Sequence, residues 1–233
     1  MVGDEGRPRF AGFGWPGRMA ASVSGAPVLA GVIWGLAWLV LSVTGQTYSL
    51  RTLYAGYQIV PAEVLLSDPI GSTWNLHIQP PAWNFVLGSV GAWSPFGLSF
   101  SYQVMSLGLG VLLAATLCAT LGHLGASRRS AVALALLGSL TSQVMVHAFE
   151  PRYDLAVAAM LSSLVWSVAR AGDGSSRGRW PLLGPTIVAT LLVSTRTLYH
   201  PVWLAGVVAI VAWSCRTRIS RRELAAAILI PVV

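Results

Sequence analysis

Residues 83–100 read WNFVLGSVGAWSPFGLSF, and the side of the membrane reached by every later residue depends on whether this stretch crosses. It is apolar enough to pass for a span. The arginines decide against it, because cytoplasmic loops are enriched in basic residues. If the stretch does not cross, Arg7, Arg9, Arg18, Arg128, Arg129, Arg170, Arg177, Arg179, Arg216, Arg218, Arg221 and Arg222 share the cytoplasmic side with the N-terminus. Only Arg51, Arg152 and Arg196 then lie outside, a split of twelve to three. If it crosses, the split becomes five inside and ten outside. The sequence therefore predicts that 83–100 stays on the outer face. Trp83, Val86, Leu87, Val90 and Trp93 recur at helical spacing, with Asn84 and Ser94 off the stripe. That is the pattern of an amphipathic helix lying in the interface, and Pro95 ends or kinks it.

Membrane insertion follows from composition. Of 233 residues, 55% are hydrophobic and 10% charged, where a soluble domain carries about 25% charged residues. The basic residues are all Arg, as a GC-rich bacterial gene would give, and they cluster between apolar runs. Such clustering marks loops at a membrane surface and argues against a nucleic-acid-binding face. Cys118 and Cys215 lie within or beside apolar segments, and no Cys or His spacing suggests a metal site.

A helical span needs about 20 apolar residues. Candidates run over 27–45, 103–122, 130–148, 153–170, 183–197 and 201–214. A further run, 224–233, is too short to span, so the chain reads as the N-terminal portion of a longer polypeptide. Residues 1–24, rich in Gly, Arg and Ser, read as a disordered cytoplasmic tail. Residues 25–233 read as one membrane module: an all-α, polytopic transmembrane helical bundle with a long outer loop, 46–101, that contains interfacial helices. The first run suits an uncleaved signal anchor, since it is longer than a cleavable signal's apolar core. At 183–214, two short spans fit the charge rule better than one tilted helix. Their turn, Ser194 to Pro201, is expected to sit shallow, near or below the outer headgroups.

This sorting places His77, His147, His200, Glu63, Asp68, Glu150 and Asp154 on the outer side. Ionisable groups at membrane depth are costly and usually mark a site or pathway. The run His147-Ala-Phe-Glu150-Pro-Arg152-Tyr153-Asp154 joins two spans and reads either as a binding turn or as a solvated turn whose charges pair locally. Arg196, at the tip of two short spans, has to snorkel or meet an anion, and a guanidinium fits phosphate bidentately. Tyr199 and His200 lie beside it, able to bond the same oxygens. Asp68-Pro69 and His77-Ile-Gln79-Pro80-Pro81 are the notable motifs of the outer loop. Their simplest readings are an Asp-Pro turn starter and a rigid lead into the helix at Trp83.

Asp68-Pro69-Ile-Gly71, followed by Leu76-His77-Ile-Gln79-Pro80-Pro81-Ala-Trp83-Asn84, is similar to a segment of the GT-C superfamily of membrane glycosyltransferases. That superfamily includes protein mannosyltransferases and bacterial lipid A aminoarabinose transferases. The turn Glu150-Pro-Arg152-Tyr153-Asp154 also resembles the superfamily's next outer turn. The resemblance covers roughly 27–215. The chain departs from the pattern at Ala82, where Leu is usual, and at Gly45-Gln46-Thr47-Tyr48-Ser49, where an acidic residue is usual. The resemblance implies transfer of a sugar from a polyprenyl-phosphate donor to an acceptor on the outer side. It implies a carboxylate base, Asp68 first and Glu63 next, and phosphate or substrate contacts from His77, Glu150, Arg152, Tyr153, Asp154, Arg196, Tyr199 and His200. No cofactor or metal is implied; the partners are membrane lipid and the lipid-linked donor. The competing reading is a non-catalytic membrane subunit, or a lipid-binding or transport module, in which these groups need not converge.

The orientation is testable directly. Single cysteines placed at Ser127 and Ser175 should resist an impermeant maleimide in intact cells. Labelling of both from outside would invert the topology.

Overall fold

The structure, a computed structural model, describes residues 25–54, 60–74, 81–173, 182–195, 205–207, 209–210 and 213. The tail expected at 1–24, the run at 224–233 and most of the span expected at 201–214 lie outside them. Among the described residues the chain is all-α with no strands, an array of apolar helices of membrane-spanning character. Helices α1 (Ala26–Val43), α6 (Leu98–His123) and α9 (Tyr153–Asp173) are long and apolar enough to cross a bilayer. Between α1 and α6 lie four shorter helices: α2 (Arg51–Tyr54), α3 (Ala62–Ser67), α4 (Pro69–Trp74) and α5 (Pro81–Ala92). After α6 come α7 (Arg128–Ser139) and α8 (Ser142–Ala148), and after α9 comes α10 (Leu183–Thr195).

The ends of the long helices are set by local chemistry. Pro27 sits in the first turn of α1, where its missing N–H costs nothing, and Thr44 closes the helix by donating its hydroxyl to Val40 O at 2.9 Å. Gly97, at φ 90°, brings the chain into α6 through a conformation open mainly to glycine. As a result α6 starts five residues earlier than the apolar run at 103–122 indicates. Ser127 caps α7, its Oγ accepting from Ser130 N at 3.2 Å.

Small residues let α1 and α6 pack closely. Gly31 faces Val111 and Ala115, and Gly35 faces Val111 and Leu107, which makes the two helices antiparallel. Gly110 leaves a notch in α6 that the Trp34 ring fills; a Cβ there would overlap the ring. The fully buried Trp34 then donates its indole N–H to Ser139 O at 3.0 Å.

That bond falls at a break. The span expected over 130–148 is two helices, α7 and α8, bent by 66°. Gly138 and Ser139 precede the bend, a pairing that favours kinks. Ser139 Oγ turns back to Ala135 O at 2.7 Å. Trp34 supplies a donor to the carbonyl at the break, and Trp38 Nε1 reaches Ala148 O at 3.3 Å at the end of α8. The Trp38 ring also stacks on Phe149, 5.3 Å between centroids and 8° from parallel. Gly25, before α1, lies near Arg128 at the start of α7, while Ser49, after α1, bonds Phe149 just past α8. The pair α7–α8 therefore runs beside α1 start to start and end to end. It crosses the same thickness as one broken span and does not return to its own side.

Helix α9 completes the bundle against α6, where Thr116 and Ser162 hydroxyls pair in the buried interface. Helix α10 runs antiparallel to α9, with Gly184 beside Ser167 and Thr195 bonded to Met160 Sδ. At 13 residues α10 is shorter than a span. Thr195 lies level with Met160, two turns inside the end of α9 that starts at Tyr153.

Helix α5 has 12 residues, about 18 Å at 1.5 Å each, and cannot cross ~30 Å of hydrocarbon. At the end of the bundle where α6 begins, the loop end, it packs against α3, α4, α6 and α10. Its inward face differs from the stripe expected from apolar spacing. Trp83, Asn84, Leu87 and Gly88 are buried, while Val86 and Trp93 face outward. Asn84 turns inward because its Oδ1 accepts the Val60 N–H at 2.8 Å. Gly88 turns inward because a Cβ would press on Leu65 O and Pro69. Tyr102 of α6 donates to Leu87 O at 2.8 Å and fixes the layer from below.

The Trp34 notch makes a sharp stability prediction. Gly110→Ala should lower stability by about 1–3 kcal/mol through overpacking. Gly108→Ala, with nothing within 4 Å of the new methyl, should be neutral or stabilising. Unfolding midpoints of both variants in detergent test this, and equal midpoints would remove the notch as a determinant.

Candidate functional site

At the loop end, Thr52 and Arg152 gather around Glu150. Pro151 is buried and turns the chain between α8 and α9, and Arg152 N closes the turn on Glu150 O at 2.8 Å. The segment after α1 meets this turn through Ser49 N, which donates to Phe149 O at 2.8 Å. This register sets α2 beside the turn. Thr52 Oγ1 donates to Glu150 Oε2 at 2.8 Å, and Arg152 Nε approaches the same oxygen at 2.6 Å. Among the described residues Glu150 Oε1 accepts no bond, and the Arg152 Nη groups have no partner.

The side chains of Arg152 and Glu150 are 45% and 24% exposed, so the ion pair stabilises the fold by only about 0.2–1 kcal/mol. Its effect is orientation. One edge of the carboxylate is held by two donors, the other is open, and the guanidinium presents its outer N–H groups. Arg51, next to Thr52 in the sequence, is exposed. Beneath them Tyr48 shares a hydrogen bond with Ser106 at 3.1 Å. Burial, more than the nearby Glu150 charge, pushes the Tyr48 phenol above its ordinary pKa, so it stays protonated at neutral pH.

The other expected site residues are dispersed. Asp68 is exposed at the junction of α3 and α4, where its Oδ1 accepts the Gly71 N–H at 2.9 Å. With Pro69 opening α4, this is a helix cap. Glu63 is exposed in the first turn of α3, where a carboxylate complements the helix N-terminus. No hydrogen bond or ion pair joins either to Glu150 among the described residues. Asp154 lies half-buried in the first turn of α9. Tyr153 packs between the core beneath α5 and the α9–α10 core. His77, Arg196, Tyr199 and His200 fall outside the described residues. The sequence reading missed Thr52, Tyr48 and Ser106. Tyr48 and Thr52 had only a polar run directly after the first span as a signal, without the acidic residue that would have drawn attention to it, and Ser106 lies inside an apolar run.

Comparison of the chain with protein-family models, with curated proteins and with solved structures finds no match.

The cap role of Asp68 separates stability from chemistry. Asp68→Ala should cost about 0.5–2 kcal/mol, and Asp68→Asn much less, since Asn caps nearly as well. Thermal unfolding in detergent reads both; equal losses would show that the carboxylate, not the cap, is what matters.

Proposed function

We propose that this chain belongs to a multi-pass cell-membrane glycosyltransferase that uses a polyprenyl-phosphate sugar donor, with its N-terminus cytoplasmic and its loop end outside. The observation that carries the reading is the Thr52–Glu150–Arg152 cluster: a carboxylate with one open edge beside a guanidinium with unused N–H groups, at the end of a helical bundle of membrane-spanning character. The Arg152 Nη groups and Arg51 suit a phosphate, which a guanidinium binds through paired hydrogen bonds. Glu150 Oε1 suits a base. In the transfer step the acceptor hydroxyl gives its proton to Glu150 and its oxygen bonds the sugar's anomeric carbon. The bond from that carbon to the phosphate oxygen breaks, and polyprenyl phosphate departs with its charge held by arginine. Arg196, with Tyr199 and His200, is read as a phosphate contact, and His77 as a substrate contact. Asp68, engaged as a cap, yields the role of base to Glu150.

A specific observation favours a second reading. Discontinuous helices line the binding sites of many transporters, and α7–α8 is discontinuous. Here, however, the break is packed by Trp34, which also bonds its carbonyl. That arrangement supports a structural bend more than a translocation path.

Arg152→Ala should weaken polyprenyl-phosphate binding roughly 10- to 100-fold, the loss of charge-assisted hydrogen bonds worth about 1.5–3 kcal/mol. Arg152→Lys should fall between, keeping charge without the fork. Glu150→Gln should bind the lipid yet lose transfer. The measurements are lipid affinity in nanodiscs and transfer by the full-length protein; unaltered affinity in Arg152→Ala would sink the phosphate site.

A further inference from the structure

The bend that Trp34 supports from inside the bundle is open on its other side. Thr141, Ser142 and Gln143, which carry the chain from α7 into α8, are all exposed. Thr141 stands at the N-cap of α8, yet its hydroxyl makes no cap bond. Among the described residues the Ser142 hydroxyl and the Gln143 amide have no hydrogen-bond partner either. Exposed residues lead to the break from both helices: Ala133, Leu134, Leu137 and Gly138 in α7, at the spacing of one helix face, and Val146 in α8. Leu137 is 71% exposed, and Gly138 has only the Leu117 side chain near it.

The depth of the break follows from α1. Trp34 is the ninth of the 18 residues of α1, a helix about 27 Å long at 1.5 Å per residue. The Ser139 carbonyl that it binds therefore lies near mid-membrane, whichever end of the bundle faces out. Trp38, one turn further along α1, reaches Ala148. Thr141 to Gln143 fall between these two ties, inside the hydrocarbon. An amide without a partner is costly there. Non-helical backbone at that depth is tolerated only where protein covers it or it lines a water-filled cavity. The surroundings, Leu134, Leu137 and Val146, are apolar and suit protein better than water. The segment after α10 is not the cover, because Val207 packs into the α9–α10 core.

We propose that the α7–α8 break is a contact between two copies of this chain, paired about a two-fold axis along the membrane normal. Two copies inserted the same way hold their breaks at the same depth, so such an axis sets each residue against its own counterpart. Gln143 suits that pairing, since an amide both donates and accepts and is its own complement; the Thr141 and Ser142 hydroxyls share this property. Ala133 and Gly138 let the backbones approach, and Leu134 and Leu137 pack around them. Small residues for approach, with Gln, Ser and Thr for hydrogen bonds, are the composition of contacts between membrane helices. No Asp, Glu, Lys or Arg lies between Arg129 and Glu150, so no like charges meet within the membrane. Each copy supplies the partner that the other's break lacks.

The test uses the full chain and does not depend on sugar transfer. With Cys118 and Cys215 replaced by Ser, single cysteines at Leu137→Cys and Thr141→Cys are oxidised in native membranes with a membrane-permeant catalyst. Leu36→Cys, exposed on α1 between Trp34 and Trp38, is the control at the same depth. Cross-linked dimer is expected at 137 and 141 and not at 36. In detergent, Gln143→Leu should raise the dimer dissociation constant roughly 3- to 20-fold, as the loss of hydrogen bonds between membrane helices does. Gln143→Asn, which keeps the amide, should raise it less. Gln143 is exposed, so the monomer folds with either residue. Absence of dimer at 137 and 141 would overturn the proposal, as would an unchanged dissociation constant in Gln143→Leu. Labelling of Gln143→Cys by an impermeant thiosulfonate would overturn it by showing a water-filled cavity, and cross-linking at 137 and 141 only to a different protein would do so by showing another subunit.

Discussion

One indole ties the bundle together. Trp34 leaves α1, fills the space that Gly110 opens in α6 and gives its N–H to the Ser139 carbonyl where α7 breaks. A carbonyl freed at a bend within the hydrocarbon has no water to turn to, and such a group costs several kcal/mol if left alone. The bend is therefore tolerable only because a donor arrives from another helix. With Trp38 repeating the contact at Ala148, the broken span is held against α1 along its length. The turn that follows, with Glu150 and Arg152, is carried to a fixed place beside Thr52.

How much of this could be read in the sequence depends on the kind of signal involved. Helices α1, α6 and α9 were legible because spanning a bilayer demands long apolar runs, and composition reports length well. The expectation that 83–100 stays on one side came from counting arginines, a property of whole loops that survives errors in any one position; that α5 has only 12 residues is a separate fact of the fold. Which face of α5 points inward was not legible. Apolar spacing pushed Asn84 outward, yet a polar side chain goes inside whenever a backbone donor awaits it, and Val60 N–H lies 24 residues away in sequence. The kink had only Gly138 and Ser139 to announce it; its cause, Trp34, is 105 residues distant.

The candidate site shows the same limit. Glu150 and Arg152 were visible as a charged turn between spans. Asp68 reads as a base from its neighbours in sequence, and those same neighbours, Pro69 and Gly71, let its carboxylate cap α4. Thr52, a residue with no distinguishing context, is what orients the Glu150 carboxylate across 98 positions of chain. Sequence marks where charge is held at membrane depth. It does not reveal which hydroxyl will find that charge.

The length of α6 carries a further consequence. At 26 residues it is about 39 Å long, against about 30 Å of hydrocarbon. A helix of that length tilts or locally thickens the bilayer around it, each ångström of misfit costing a fraction of a kcal/mol. Because α1 and α9 both pack on α6, it cannot tilt alone. Lipid chain length thus becomes a force acting on the tilt of the three helices together.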